Sequence, residues 1–181
     1  MISYAAMSDI PEGTAAHRAE GSARPPVQCA VVTVSDSRTE ATDESGDLIC
    51  RLLETDGHRV VDRALLKNDE FAVRELVGRL ITRDDVDAVL LTGGTGLGSK
   101  DRTVEAVRPL MEKELPGFGE LFRLLSYQEQ VGTAAILSRA VAGSAHGKLI
   151  VSMPGSKAAV ELALTRVLLP EIRHLIHELR R

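Results

Sequence analysis

Apolar positions along the chain alternate between two rhythms. "AVVTVSD", Ala30 to Asp36, is a continuous β-branched run, as expected for a strand buried on both faces. In the "DESGDLICRLLETDG" that follows, Leu48, Ile49, Leu52 and Leu53 share one helical face and Gly57 supplies a stop. His58 to Leu66 reads as a second strand. A helix is predicted from about Asp69 to Thr82, with Val73, Leu76, Val77, Leu80 and Ile81 at helical spacing. "DAVLLTGG" is a third buried strand, and "TVEAVRPLM" a short helix limited or kinked by Pro109. "GFGELFRLLSYQEQVGT" predicts another helix. "LSRAVAGSAHGKLIVSMPG" predicts a strand, a turn around Gly143 to Gly147 and a further buried strand. A helix then runs from Ser156 to Leu169. Pro170 breaks it, and a last amphipathic segment carries Ile172, Leu175, Ile176 and Leu179.

Strands alternating with helices imply an α/β fold, a mostly parallel sheet with helices on both faces. Ligands of such sheets sit outside the carboxyl ends of the strands. Three polar segments leave strands at that edge: Ser35-Asp36-Ser37-Arg38, Thr92 to Asp101, and Pro154-Gly155-Ser156. They are distant in sequence, and the fold is expected to bring them to one rim.

The chain has 181 residues, enough for one α/β domain that buries about 70% of its unfolded surface. Residues 27–181 read as that domain. Residues 1–26, rich in Ala, Gly, Ser and Pro, read as a mobile tail. They lack the basic start and long apolar run of a signal peptide. No run approaches the roughly 20 apolar residues of a membrane span. Cys29 and Cys50 form no CxxC pair and read as two buried thiols in a reducing cytoplasm. Aromatics are 3% and the net charge is −4, so nucleic-acid binding by stacking or by a basic face is not expected. A small anion remains possible, because backbone amides can hold one without net positive charge.

"LLTGGTGLGSKDRT", Leu90 to Thr103, is the stretch most suited to that task. It is not a P-loop: Gly93 and Gly98 have the right spacing, but Ser99-Lys100 reverses the Lys-Ser/Thr order. It is not a dinucleotide fingerprint either, since Gly94-Thr95-Gly96 reaches Gly98 one residue early. Its glycines still let amides approach an anion, and a helix N-terminus follows. A side chain at Gly94 is expected to enter the space of that anion. The bland reading is a turn that redirects the chain, with Asp101 and Thr103 as helix N-caps.

Four segments carry a resemblance that bears on this choice. "VVTVSDSRTEATDESGDLI", "LLTGGTGLGSKDRTVEAV", "ELPGFGELFRLLSYQEQVGTAAILSRAVAG" and "SMPGSKAAVELAL" together resemble the molybdenum cofactor biosynthesis protein B family, of the MoaB/MogA group. The likeness spans roughly Val27 to Leu179. It implies a three-layer α/β/α sandwich and a cytoplasmic homo-oligomer, a trimer or hexamer, working beside other proteins of the pathway. Enzymatic members bind molybdopterin, a pterin dithiolene with a terminal phosphate, and join it to AMP from MgATP.

By that resemblance Thr92, Gly93, Gly94, Thr95 and Gly96 bind the pterin substrate and its phosphate. Asp101 serves transfer and metal binding. Ser35, Asp36, Ser138, Pro154, Gly155 and Ser156 complete the substrate side, and Asp43, Ser45 and Gly46 line the nucleotide side. One departure concerns a second acid, usually a Pro-Asp after the second strand, where this chain reads Leu66-Lys67-Asn68-Asp69-Glu70. Either Asp69 is that catalytic acid, or Asn68 occupies its place and a carboxylate is missing. A plain N-cap explains both residues as simply. The chemistry requires two anions to approach, which amides, positioning and a magnesium ion held by one or two carboxylates can allow. Two functions follow: a molybdopterin adenylyltransferase, or a non-catalytic molybdopterin carrier of the same pathway.

Overall fold

The sheet runs in the order β2 (Arg59–Leu66), β1 (Gln28–Val34), β3 (Ala88–Thr92), β6 (Lys148–Met153), β5 (Val141–Ala145), β4 (Lys113–Glu114), which puts the ends of β1, β3 and β6 side by side. This is a computed structural model that describes residues 25–181; most of the tail predicted for residues 1–26 lies outside them. β1, β2, β3 and β6 run parallel. β5 joins β6 as an antiparallel hairpin, and β4 adds a short edge against β5.

Successive side chains of a strand face opposite sides, so a strand buried on both faces must be apolar throughout. β1 and β3 meet that demand. Cys29, Val31, Ala88 and Leu90 enter one core with α1 (Glu44–Thr55), α4 (Pro116–Ser126), α5 (Lys157–Leu162) and α6 (Ile172–Leu179). Ala30, Val32, Val34, Val89 and Leu91 enter the other, with α2 (Glu70–Leu80) and α3 (Thr103–Val107). The three-layer α/β/α sandwich with its mostly parallel sheet is therefore present.

Helix starts follow side-chain capping. Asp43 accepts from the Gly46 N–H, Asp69 from Ala72 and Ser156 from Ala159, each satisfying a donor that the first helical turn cannot. Pro109 ends α3 as expected, in a 3₁₀ turn over Arg108–Leu110. The predicted helices at 117–133 and 156–169 both change form midway, into π-helical turns over Tyr127–Val131 and Ala163–Leu168. One expectation needs correction. The turn is not spread over Gly143 to Gly147: Gly143 pairs with Ile150 and Glu114 inside the sheet. The chain reverses at His146 and Gly147 alone, with φ of +51° and +69°, the positive values that two-residue hairpins require. Among the described residues no helix is long and apolar enough to cross a membrane.

Candidate functional site

The three polar segments meet in a cleft of about 600 Å³ at the carboxyl ends of β1, β3 and β6. Hydrogen bonds tie the second and third segments to each other and the third to the start of α1. Thr92 Oγ1 donates to Pro154 O at 3.0 Å, and the Gly93 N–H donates to Met153 O at 3.0 Å. Ser45 Oγ, at the start of α1, donates to Gly155 O at 2.8 Å. The Ser35 hydroxyl accepts from the Ser37 and Arg38 amides and closes the turn after β1.

The glycine loop leaves β3 in a conformation other residues avoid. Gly93 and Gly94 have φ of +94° and +62°. A Cβ on Gly93 would stand 2.2 Å from Val34 O, and one on Gly94 2.2 Å from Thr103 Oγ1 and 2.6 Å from Asn68 Oδ1. A side chain at Gly94 would therefore strike Thr103 and Asn68, contrary to the expectation that it would fill the anion's space.

Asp101 lines the cleft, and its amide donates to Gly98 O at 3.0 Å. The N-cap reading fails for it: Arg102 holds the N-cap position of α3, which no side chain caps. The Asp101 carboxylate pairs with no cation among the described residues. Asp36 is the second acid of the cleft. Its Oδ1 accepts from the Asn68 amide at 3.0 Å, and Lys67 Nζ reaches its carbonyl at 2.6 Å. The Asn68 backbone and side-chain amides, with Lys100 and Lys67 nearby, hold the Asp36 carboxyl below the usual carboxylate range.

Of the residues singled out in the sequence, Ser35, Asp36, Ser45, Thr92 to Gly96, Asp101, Ser138, Pro154, Gly155 and Ser156 all line the cleft. Asp69 does not: its carboxylate caps α2, and its neighbour Asn68 takes the wall position. Asp43 and Gly46 are buried and do not line the cleft. Asp43 is 1% exposed, and its carboxylate accepts from the Gly46 N–H at 3.0 Å, the Thr33 hydroxyl at 2.8 Å and Arg63 at 3.0 Å. Burial pushes its carboxyl up, but those three donors outweigh it and hold the group below its ordinary value.

The far wall, which motif spacing does not reveal, comes from α4 and the turns after it, with Phe122, Val131, Ala134, Ala135 and Leu137. The cleft thus has a glycine-lined floor on one side and an apolar wall on the other. Among the described residues no three His, Cys, Asp or Glu side chains gather as a metal cage. Asp36 and Asp101 are the two carboxylates among the described residues that line the cleft, and magnesium takes one or two carboxylates where phosphates supply further oxygens.

Comparison with known proteins agrees with this geometry. Residues 30–174 match the family described as "Probable molybdopterin binding domain". Molybdenum cofactor biosynthesis protein B of Halalkalibacterium halodurans is 52% identical over 153 residues, covering 84% of this chain and 90% of that protein. A crystal structure of a molybdenum cofactor biosynthesis protein B superposes with a TM-score of 0.85 at 46% identity, over 87% of this chain and 98% of that one. The tungsten cofactor synthesizing protein MoaB from Pyrococcus furiosus superposes at 0.77 with 35% identity, over 86% and 98%. On its sequence, its fold and its cleft, this chain belongs to the molybdenum cofactor biosynthesis protein B family.

Proposed function

We propose that the chain binds molybdopterin in this cleft and transfers AMP to it from MgATP. The observation that carries the reading is the glycine loop. Its two left-handed glycines, Gly93 and Gly94, line the cleft together with two carboxylates, Asp36 and Asp101, at the rim where three strands end. An oxygen of the terminal phosphate of molybdopterin attacks the α-phosphorus of ATP. The bond from that phosphorus to the bridging oxygen breaks, and pyrophosphate leaves with the electron pair. The loop amides hold the attacking phosphate, and the apolar wall around Val131 and Leu137 takes the pterin. Asp101 and Asp36 would hold the magnesium ion, which offsets the charge of the meeting phosphates.

A specific observation favours a second reading, a non-catalytic molybdopterin carrier. Asn68, an amide, stands on the wall where a third carboxylate would complete the acid set, and Asp69 is committed to a helix cap. A homo-oligomer, trimer or hexamer, is the assembly proposed for either reading. Leu121, Leu124, Tyr127 and Ile136 are large apolar side chains exposed outside the cleft, and they support it. Incubating the protein with radiolabelled ATP and molybdopterin distinguishes the two: label appears on molybdopterin if the chain is the transferase and does not if it is a carrier.

A further inference from the structure

One side chain outside the cleft grips the glycine loop at two points. Arg139 donates from Nε to Thr95 O at 3.0 Å and from Nη2 to the Asp101 main-chain carbonyl at 2.8 Å. The same guanidinium pairs with Glu105 of α3, with Nη2 3.3 Å from Oε2. Arg139 faces a separate cavity of about 290 Å³, shared with Val104, Arg123 and Val141, whereas Thr95, Gly96 and Asp101 face the cleft. The loop therefore separates the guanidinium from the ligand space.

That arrangement has a stereochemical consequence. The peptides are trans, so the carbonyl and amide of one peptide unit point in opposite directions. A Thr95 carbonyl held toward Arg139 turns the Gly96 N–H toward the cleft. We propose that Arg139 is a positioning residue, which presents the Gly96 amide to the phosphate of molybdopterin and anchors Asp101 at the far end of the loop. The proposal rests on the reading that the cleft binds that phosphate. The role is one of geometry, because the Glu105 carboxylate balances the guanidinium charge, and the Arg139 hydrogen bond holds that carboxyl below its usual range. A planar fork can serve two carbonyls and a carboxylate at once. A lysine ammonium keeps the charge but loses that fixed geometry.

The test is Arg139→Lys, read as molybdopterin affinity together with the Gly96 amide resonance of nitrogen-labelled protein. In the wild type, adding molybdopterin should shift the Gly96 amide. In folded Arg139→Lys that response should vanish and Kd should rise about tenfold or more, the loss expected for a hydrogen bond to a charged group. Should Arg139→Lys fail to fold, Arg139→Gln is read the same way. A folded variant with wild-type Kd, or a wild-type Gly96 amide that molybdopterin does not move, overturns the proposal. Because the readout is binding, absence of AMP transfer in the wild type would sink the transferase reading and leave this result standing.

Discussion

The carboxylate of Asp101 fills the space a side chain on Gly96 would need: its Oδ2 lies 2.7 Å from the position of a Gly96 Cβ. Gly98 stands in the same relation, at 2.8 Å. The loop thus folds around its own acid. Gly96→Ala should push the Asp101 carboxylate aside while leaving β3 and the core intact. Under the proposed mechanism AMP transfer should fall on the order of tenfold to a hundredfold, because small misplacements are costly in a positioned reaction. The melting midpoint should change little. Steady-state transfer and a thermal melt on this one variant check both expectations.

Gly94 answers differently. Its φ of +62° and the inward contacts of its missing Cβ make substitution there a folding lesion. Gly94→Ala should destabilise by about 2–4 kcal/mol, combining left-handed strain with overpacking. Urea unfolding measures it. A variant as stable as wild type would show that the loop relaxes freely.

Asp43 is buried and does not line the cleft, so its substitution should act on stability. Asp43→Ala strands the Gly46 amide and the buried Thr33 hydroxyl and leaves the half-exposed Arg63 with its Asp47 partner. A loss of about 2–3 kcal/mol is expected, with Arg63 discounted for its exposure. A variant of full stability that has lost only ATP affinity would instead mark Asp43 as a nucleotide contact.

His58 gives the fold a pH dependence. Its Nδ1 accepts from the Val27 N–H at 3.1 Å, so the neutral ring carries its proton on Nε2. Nε2 is 3.1 Å from Asp56 Oδ2 but out of hydrogen-bonding alignment. Burial, with Arg173 nearby, holds the ring below its ordinary value of 6.5 despite Asp56. The unfolded chain therefore binds the proton more readily. This contribution is present in full above pH 6.5 and is lost as the pH falls toward the lowered folded value. In His58→Gln that part of the pH slope should disappear. Melts on both sides of pH 6.5 test it, and an identical slope in the variant would contradict the assignment.

Much of the site was legible because it is local. The β-branched run of β1 and the apolar run into Gly93 place both loops at one sheet edge, whatever the tertiary detail. Contacts that depend on distant residues were not legible. Two polar residues, Lys113 and Glu114, carry no strand signal and pair because β5 is beside them. Whether Asn68 or Asp69 faces the cleft depends on where α2 begins, one residue either way. The burial of Asp43 required Thr33 and Arg63 from two other strands. Nothing in the sequence singles out Arg139, because Thr95, Asp101 and Glu105 come around it only in the fold.

AMP transfer by the wild type and by Asp101→Asn, measured with radiolabelled ATP and molybdopterin, tests the central claim most directly. Asn keeps the size of the side chain and removes its charge. The account predicts label on molybdopterin with the wild type. For the variant it predicts unchanged folding and molybdopterin binding, with transfer reduced on the order of a hundredfold or more, the scale of losing a principal electrostatic stabiliser. No transfer by the wild type, or undiminished transfer by Asp101→Asn, would contradict it.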